Sequence, residues 1–382
     1  MIDLGPVRAF LEPAHLELGG RVLAFASSEL GDVHPADDEE ARALAITLCG
    51  KLGREGLLEP IREQDFRACC VVRECLSAYS SLADAMFALQ ALGSTPVALF
   101  GSDELIEAVV DPAIAGDRVA AFAMTEPGAG SDVSAIATVA VRDGDFYVLN
   151  GTKTLISNGG IAASYVVFAS TDPSAGRRGL TAFVVPATAD GFRFVRPLIM
   201  SDPHPLGEIS FAGCRVPVTN RLGDEGAGFK IGMATLDRLR PTVGAAACGM
   251  AARALDESLK HSRAREQFGR PLADFQIIQE KLGRMATELA AARLLVYRAA
   301  WERDSGAGRT DVEAAMAKAF ATEAAQTIVD EAVQIVGGIG TLADHPVDRL
   351  YRAVRSLRIY EGTTEIQRLI VARHLLADMD AG

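Results

Sequence analysis

Over residues 1 to about 117, apolar positions recur at helical spacing in text rich in Ala, Leu and Glu, most clearly across 39–52 and 69–92. Gly93 and Pro96 read as breakers between helices, and a small helical bundle is expected. From Arg118 to about Val218 the period drops to two. Residues 119–124 form a short apolar run, and 138–141 and 146–149 flank Asp143-Gly144, a strong hairpin signal. Asn150-Gly151 reads as a second turn, with further strands at 165–169, 180–185, 192–196 and 208–211. Short strands so closely spaced predict an antiparallel β barrel or sandwich. From about Gly228 the helical period returns in longer pieces, at 236–264, 274–304 and 311–336. Thr310-x-x-Glu313 reads as a capping box, Gly337-Gly338 as a helix end, and a last helix is expected over about 365–376. Four helices suggest an antiparallel bundle. The plan is therefore α+β in three domains: a helical 1–117, a β domain 118–228 and a helical 229–382.

Composition narrows the function. At 382 residues the chain is longer than one core usually serves, and 49% hydrophobic with 23% charged residues is ordinary for a globular protein. No apolar run reaches the roughly eighteen residues needed to cross a bilayer, and the first residues lack the order of a secretory signal. The expectation is a cytoplasmic protein with no membrane span. A formal charge of −12 argues against nucleic acid as a partner, because a phosphate backbone would be repelled. Six cysteines form no C-x-x-C pair and six histidines are scattered, so buried reduced thiols and no metal site are expected.

Four stretches carry candidate chemistry. Ala123-Met124-Thr125-Glu126-Pro127-Gly128-Ala129-Gly130-Ser131-Asp132 begins at a strand end. Its glycines let backbone N–H groups approach a flat or anionic ligand, and Thr125 and Ser131 add hydroxyls. It lacks the third glycine and the βαβ setting of a dinucleotide fingerprint, and alone it reads equally as a surface loop. Arg265-Glu266-Gln267-Phe268-Gly269-Arg270-Pro271-Leu272 exposes an arginine and a ring between two long helices, which suits a pyrophosphate or ring system, or a plain connection. Gln334 to Gly340 follows a helix, and a C-cap explains part of it. Arg358-Ile359-Tyr360-Glu361-Gly362-Thr363-Thr364-Glu365-Ile366-Gln367-Arg368 places a carboxylate in a short break before a helix capped by Thr363 or Thr364, with Thr364-x-x-Gln367 matching a capping box. Desolvation would raise Glu361 toward the range of a general base; a solvated helix-start carboxylate is the plainer alternative.

Taken together and in this order, the four stretches resemble the acyl-CoA dehydrogenase superfamily over essentially the whole chain. The resemblance implies FAD as cofactor and an acyl-CoA as substrate. It implies that Phe122, Met124, Thr125, Ser131, Leu155 and Ser157 wall the flavin. Arg265, Gln267, Phe268, Phe275 and Gln276, with Gln334, Gly337 and Gly338, would reach the FAD of a neighbouring subunit. Thr363 and Glu365 would contact the subunit's own dinucleotide. Glu361 falls on the catalytic base of the Tyr-Glu-Gly-Thr type, while the alternative position on an earlier helix is Leu239, which cannot act as a base. Ser131, Asp237, Arg240, Tyr360 and Gly362 resemble substrate-side residues. A homotetramer built as a dimer of dimers is implied.

The implied reaction is α,β-dehydrogenation. Glu361 removes the α-proton, the β-hydrogen leaves as hydride to the flavin, and hydrogen bonds to the thioester oxygen stabilise the enolate. Two features depart from the family pattern. Leu155 stands where many relatives have Trp, which weakens electron-transferring flavoprotein as acceptor. Residues 198–207 lack the Lys-x-Gly-x-Arg type of stretch, a hint of a cyclic, branched or functionalised acyl group. Alternatives are a dehydrogenase acting on a carrier-tethered acyl group, a flavin oxidase and a catalytically inactive flavin-binding scaffold. The nitroalkane-oxidase branch, whose base is Asp, fits less well.

Overall fold

The computed structural model describes residues 2–31 and 34–381, with side chains described through residue 377. Before the strands the chain folds as α1 (Pro13–Phe25), α2 (Asp38–Arg54), α3 (Glu59–Glu63), α4 (Phe66–Ser77), α5 (Ser81–Phe100), α6 (Asp103–Leu105) and α7 (Asp111–Ile114). The strands are β1 (Ala120–Ala123), β2 (Val139–Asp143), β3 (Phe146–Ser157), β4 (Ser164–Ser170), β5 (Leu180–Pro186), β6 (Phe192–Pro197), β7 (Leu206–Pro217) and β8 (Arg221–Leu222). Then come α8 (Gly228–Ala264), a small hairpin of β9 (Glu266–Gln267) and β10 (Arg270–Pro271), α9 (Gln276–Asp304), α10 (Asp311–Val336), α11 (Pro346–Leu357) and α12 (Thr364–Ala381). Helical first and last parts around a middle β sheet match the α+β plan.

Two compact units divide these residues. One comprises residues 1–33, 66–84 and 237–382; the other comprises 34–65 and 85–236. In the second unit the strands form one sheet in the order β6-β7-β3-β2-β4-β5-β8, with β1 alongside β4. Most pairings are antiparallel; β1 and β2 each meet β4 in parallel. Asp143-Gly144 does turn the β2–β3 hairpin, with Asp143 opposite Phe146. Asn150-Gly151 makes no turn. The register of β3 against β7 slips between Leu149 and Gly151, so the pair marks a bulge in one long strand, and the Asn150 amide oxygen accepts from Gly213 N–H.

Three helical expectations are corrected. The 69–92 run is two helices, because Ser80 starts α5 by accepting the Ala83 N–H on its hydroxyl. Gly93 and Pro96 do not break α5. A Cβ on Gly93 would lie 2.5 Å from Ala120 Cβ, so glycine is there for close packing within the helix. Five helices, not four, follow residue 228. The extra one, α11, buries Val347, Leu350, Val354 and Leu357 at helical spacing and starts at His345-Pro346, whose imidazole Nδ1 accepts from Val347 N–H. Thr310 does precede α10, but its side chain makes no capping bond. Gly337, at φ +75°, ends α10 as expected.

Among the described residues, α5 is the one helix long and apolar enough to cross a membrane, which the sequence reading had not counted; 83% of its most apolar window is buried, as in a core helix. All six cysteines are buried, and none forms a disulfide.

Candidate active site

In the first unit, the chain between α11 and α12 turns sharply at Glu361, which has φ +54°, followed by Gly362 at φ +91°. Hydrogen bonds lock this turn. Arg240 Nε and Gln367 Nε2 donate to the Glu361 carbonyl at 3.3 and 3.2 Å, and Lys318 Nζ and Gln367 Nε2 donate to the Gly362 carbonyl at 2.7 and 3.0 Å. Thr363 is the cap of α12: its hydroxyl accepts the Ile366 N–H at 3.3 Å. The box expected from Thr364 and Gln367 does not form, because Gln367 turns back to hold the two carbonyls. With its carbonyl tied down, the Glu361 side chain is aimed elsewhere. Its Oε2 is shielded from solvent and has no hydrogen-bond partner.

Burial pushes the Glu361 carboxyl above the usual carboxylate range, while Arg73, Lys318 and Arg240 pull it back and Asp84 adds to the rise. Lys318 lies in the Ala-rich buried face of α10, and burial brings its ammonium down to about 8. Arg240 also pairs with Asp237 one turn earlier on α8, whose carboxyl burial pushes upward. The fold thus gathers Glu361, Tyr360, Gly362, Arg240 and Asp237, with Thr363 and Glu365 at the adjoining helix start. Sequence reasoning missed Lys318, Arg73 and Asp84. Lone charges in otherwise apolar helical runs (Ala317-Lys318-Ala319, Ala83-Asp84-Ala85) were the available signal.

A second, exposed cluster in this unit holds the residues around the β9–β10 hairpin. Phe268 has φ +54° and is 94% exposed; its ring meets Phe275 edge-on, and Arg270 lies over Phe275 at 4.1 Å. Arg265, Gln267 and Gln276 are exposed nearby in sequence; Gln334 in the last turn of α10 and Gly337 and Gly338 after it are also exposed. A Cβ on either of those glycines would meet open space.

In the second unit, β1 delivers the chain into the 124–132 loop. Glu126 and Ala129 close it with reciprocal backbone bonds of 3.0 and 3.1 Å, and Thr125 accepts from Thr154 N–H of β3 at 3.0 Å. Beneath it lies a buried ion pair. Lys153 donates to Glu126 at 2.7 Å and to the Met124 carbonyl at 3.1 Å, while Glu126 also accepts from Ala137 and Thr138 N–H. Burial lowers Lys153 to about 8. Above this support Phe122, Thr125 and Ser157 are half-buried, Met124 is buried, and Ser131 and Leu155 are exposed. Leu155 sits at φ +55°, a conformation that costs a side-chain-bearing residue energy. The described non-glycine residues with positive φ are Gln64, Leu155, Asn158, Phe268 and Glu361, so three of the five are site candidates. The departing 198–207 segment is held by Arg42, which donates to the Gly159 and Leu206 carbonyls at 2.6 and 2.7 Å and lies over Phe194.

Residues 121–214 match the model of the acyl-CoA dehydrogenase middle domain and residues 226–376 that of its C-terminal domain. The chain belongs to the acyl-CoA dehydrogenase family. It is an oxidoreductase of that family, whose members are flavoproteins. Among its relatives is a 3-(aryl)acrylate reductase of Clostridium sporogenes, 44% identical over 315 residues, covering 82% of this chain and 83% of that one. Another is the cyclohexane-1-carbonyl-CoA dehydrogenase of Geobacter metallireducens, 40% identical and covering 81% of each chain. Butyryl-CoA dehydrogenase from Megasphaera elsdenii superposes with a TM-score of 0.86 at 34% identity, over 96% of this chain and 99% of that one.

Proposed function

We propose that this acyl-CoA dehydrogenase binds FAD and converts an acyl-CoA thioester to the 2,3-enoyl-CoA, with Glu361 removing the α-proton. The observation that carries the reading is the Glu361 Oε2, shielded and without a hydrogen-bond partner, on a turn tied down by Arg240 and Lys318. Desolvation raises its basicity, and the surrounding cations keep the ionised form accessible. The Glu361 backbone N–H makes no bond within the described chain, leaving a donor for a thioester oxygen, and one such donor is typically worth roughly 3 kcal/mol in a transition state.

The residues also suit a flavin. Exposed Leu155 and Phe268 offer apolar surface to a ring, Thr125, Ser131 and Ser157 offer hydroxyl donors, and Gly128, Gly130, Gly337 and Gly338 leave open backbone for close approach. When bound, FAD supplies the acceptor for the β-hydrogen. Phe122, Met124, Thr125, Ser131, Leu155 and Ser157 would line it, as would Thr363 and Glu365. Arg265, Gln267, Phe268, Phe275, Gln276, Gln334, Gly337 and Gly338 would serve a neighbouring subunit's cofactor in a homotetramer. Ser131, Asp237, Arg240, Tyr360 and Gly362 would face substrate. A cytoplasmic location, and electron-transferring flavoprotein as an acceptor weakened by Leu155, belong to the same reading.

The similarity to a cyclohexane-1-carbonyl-CoA dehydrogenase and the altered 198–207 segment support a cyclic or functionalised acyl group. The similarity to an arylacrylate reductase favours a second reading, in which the same residues run the reaction backward and Glu361 delivers the α-proton. Anaerobic mixing of the purified flavoprotein with straight, branched, cyclic and aryl-substituted acyl-CoAs tests both. Bleaching of the visible band by one class, absent in Glu361→Gln with its flavin retained, is the expected result. Wild-type bleaching in Glu361→Gln would refute the base. No bleaching by any acyl-CoA would refute the CoA thioester as donor; reoxidation of the chemically reduced enzyme by an enoyl thioester or acrylate would then assign the reverse reaction, and reduction by a loaded carrier protein a tethered substrate.

A further inference from the structure

Charged groups on several helices of the first unit act on the Glu361 carboxyl through their charge: Arg73 of α4, Asp84 of α5, Arg240 of α8 and Lys318 of α10. Glu323 and Glu365 act on Lys318, and Asp237 on Arg240. Arg240 and Lys318 already have a task, since they hold the carbonyls of the Glu361–Gly362 turn. Arg73 touches neither carbonyl. Its side chain and that of Asp84 are only 2% and 3% exposed, and they form a two-pronged pair at 2.7 and 2.9 Å. The remaining prong donates to Thr242 at 3.0 Å, two residues along α8 from Arg240. Its charge also acts on the Tyr360 hydroxyl, next in sequence to Glu361.

A buried bidentate pair is weak evidence for stability, because desolvating both ions cancels much of their attraction. Here the pair lies in the same charged cluster as a carboxyl that needs a balance. Too little positive charge leaves it protonated at neutral pH; too much makes it a feeble base. We propose that Arg73 is a positioning residue that fixes the protonation of Glu361, and that Asp84 sets how much of the Arg73 charge reaches that carboxyl. The proposal rests on Glu361 being the base.

Two variants must then act in opposite directions. Asp84→Asn keeps the shape and one acceptor but leaves the guanidinium charge uncancelled, so Glu361 ionises at lower pH. The double variant Arg73→Gln, Asp84→Asn replaces the pair by neutral amides without stranding either ion, so Glu361 ionises at higher pH. The measurement is an infrared titration of the purified full chain, with the Glu361 carboxyl band identified by its loss in Glu361→Gln. The expected result is a midpoint displaced downward in Asp84→Asn and upward in the double variant, each by about one pH unit, or a roughly tenfold change in ionised fraction on the acid limb. Midpoints unchanged from wild type, or moved in the same direction in both variants, overturn the proposal. A merely structural role would lower the melting temperature without moving the midpoint. Because no substrate enters the titration, opposite displacements with no acyl-CoA turnover would sink the dehydrogenase reading and leave this one standing.

Discussion

Burial lifts Glu361 above its ordinary carboxylate range, and this has a sign in stability as well as in catalysis. A group whose folded value is raised contributes stability that is fully present below its unfolded value. That stability is lost as pH rises through the folded value. As pH rises, the folded protein therefore bears more of the cost of a desolvated carboxylate. Glu361→Gln removes it, so the variant should melt above wild type at pH 8, and the gain should shrink toward pH 4. Calorimetry across that range decides; a difference that ignores pH means the carboxyl is not desolvated in the folded state. Catalysis has the matching limb, with turnover lost on acidification at a pH above that of an ordinary glutamate. Lys153 poses the opposite case, a buried cation with its carboxylate. Lys153→Met strands Glu126, 6% exposed, and should cost about 3–5 kcal/mol in urea unfolding. A loss below about 1 kcal/mol would mean that the Ala137 and Thr138 N–H groups suffice for Glu126. At this scale Glu361 was legible in the sequence because a tight glycine turn, a tyrosine and a helix cap surround it in one short string. Arg73, Asp84 and Lys318 were not, because they act on Glu361 from helices far from it in sequence, and no local spacing encodes that meeting.

Elements were read best where one short-range rule decides them. Asp143-Gly144 has to turn a hairpin, and Gly337 has to end α10, whatever else the chain does. Failures occurred where a long-range contact assigned the residue a different job. Asn150-Gly151 has the letters of a turn, yet β7 pairs on both sides of it and converts it to a bulge. Gly93 has the letters of a helix break, yet the approach of β1 requires the missing side chain inside α5. In Gly93→Val the new side chain begins 2.5 Å from Ala120 Cβ and 2.9 Å from Ala121 N, so either α5 or β1 must shift. The expected loss is about 1–3 kcal/mol, read as a lower denaturant midpoint at unchanged slope. Since β1 leads directly into the 124–132 loop, flavin retention should fall with it. A variant as stable as wild type would mean that α5 and β1 yield at this contact without cost.

At the scale of the whole molecule, the exposed cluster makes little sense for a lone chain. Phe268 holds a strained backbone conformation while presenting 94% of its surface to solvent, with Ile277 at 63%, Ile339 at 50% and Leu342 at 53% also uncovered. A monomer gains nothing by straining a residue to expose a ring, whereas a second copy, or its cofactor, would cover apolar surface worth roughly 25 cal/mol per Å². Phe268→Asp should therefore act on assembly and cofactor together. Light scattering after gel filtration should show a smaller species, and the visible absorbance per chain should fall, while the melting of the dissociated subunit changes little. If the variant keeps the wild-type mass but loses flavin, the ring serves the cofactor alone. If mass and flavin are both unchanged, Phe268 has neither role, and the strain at that hairpin loses its functional explanation. An assembly in which one copy's hairpin completes another copy's cofactor site would give the hairpin and the Glu361 turn a share in a single reaction.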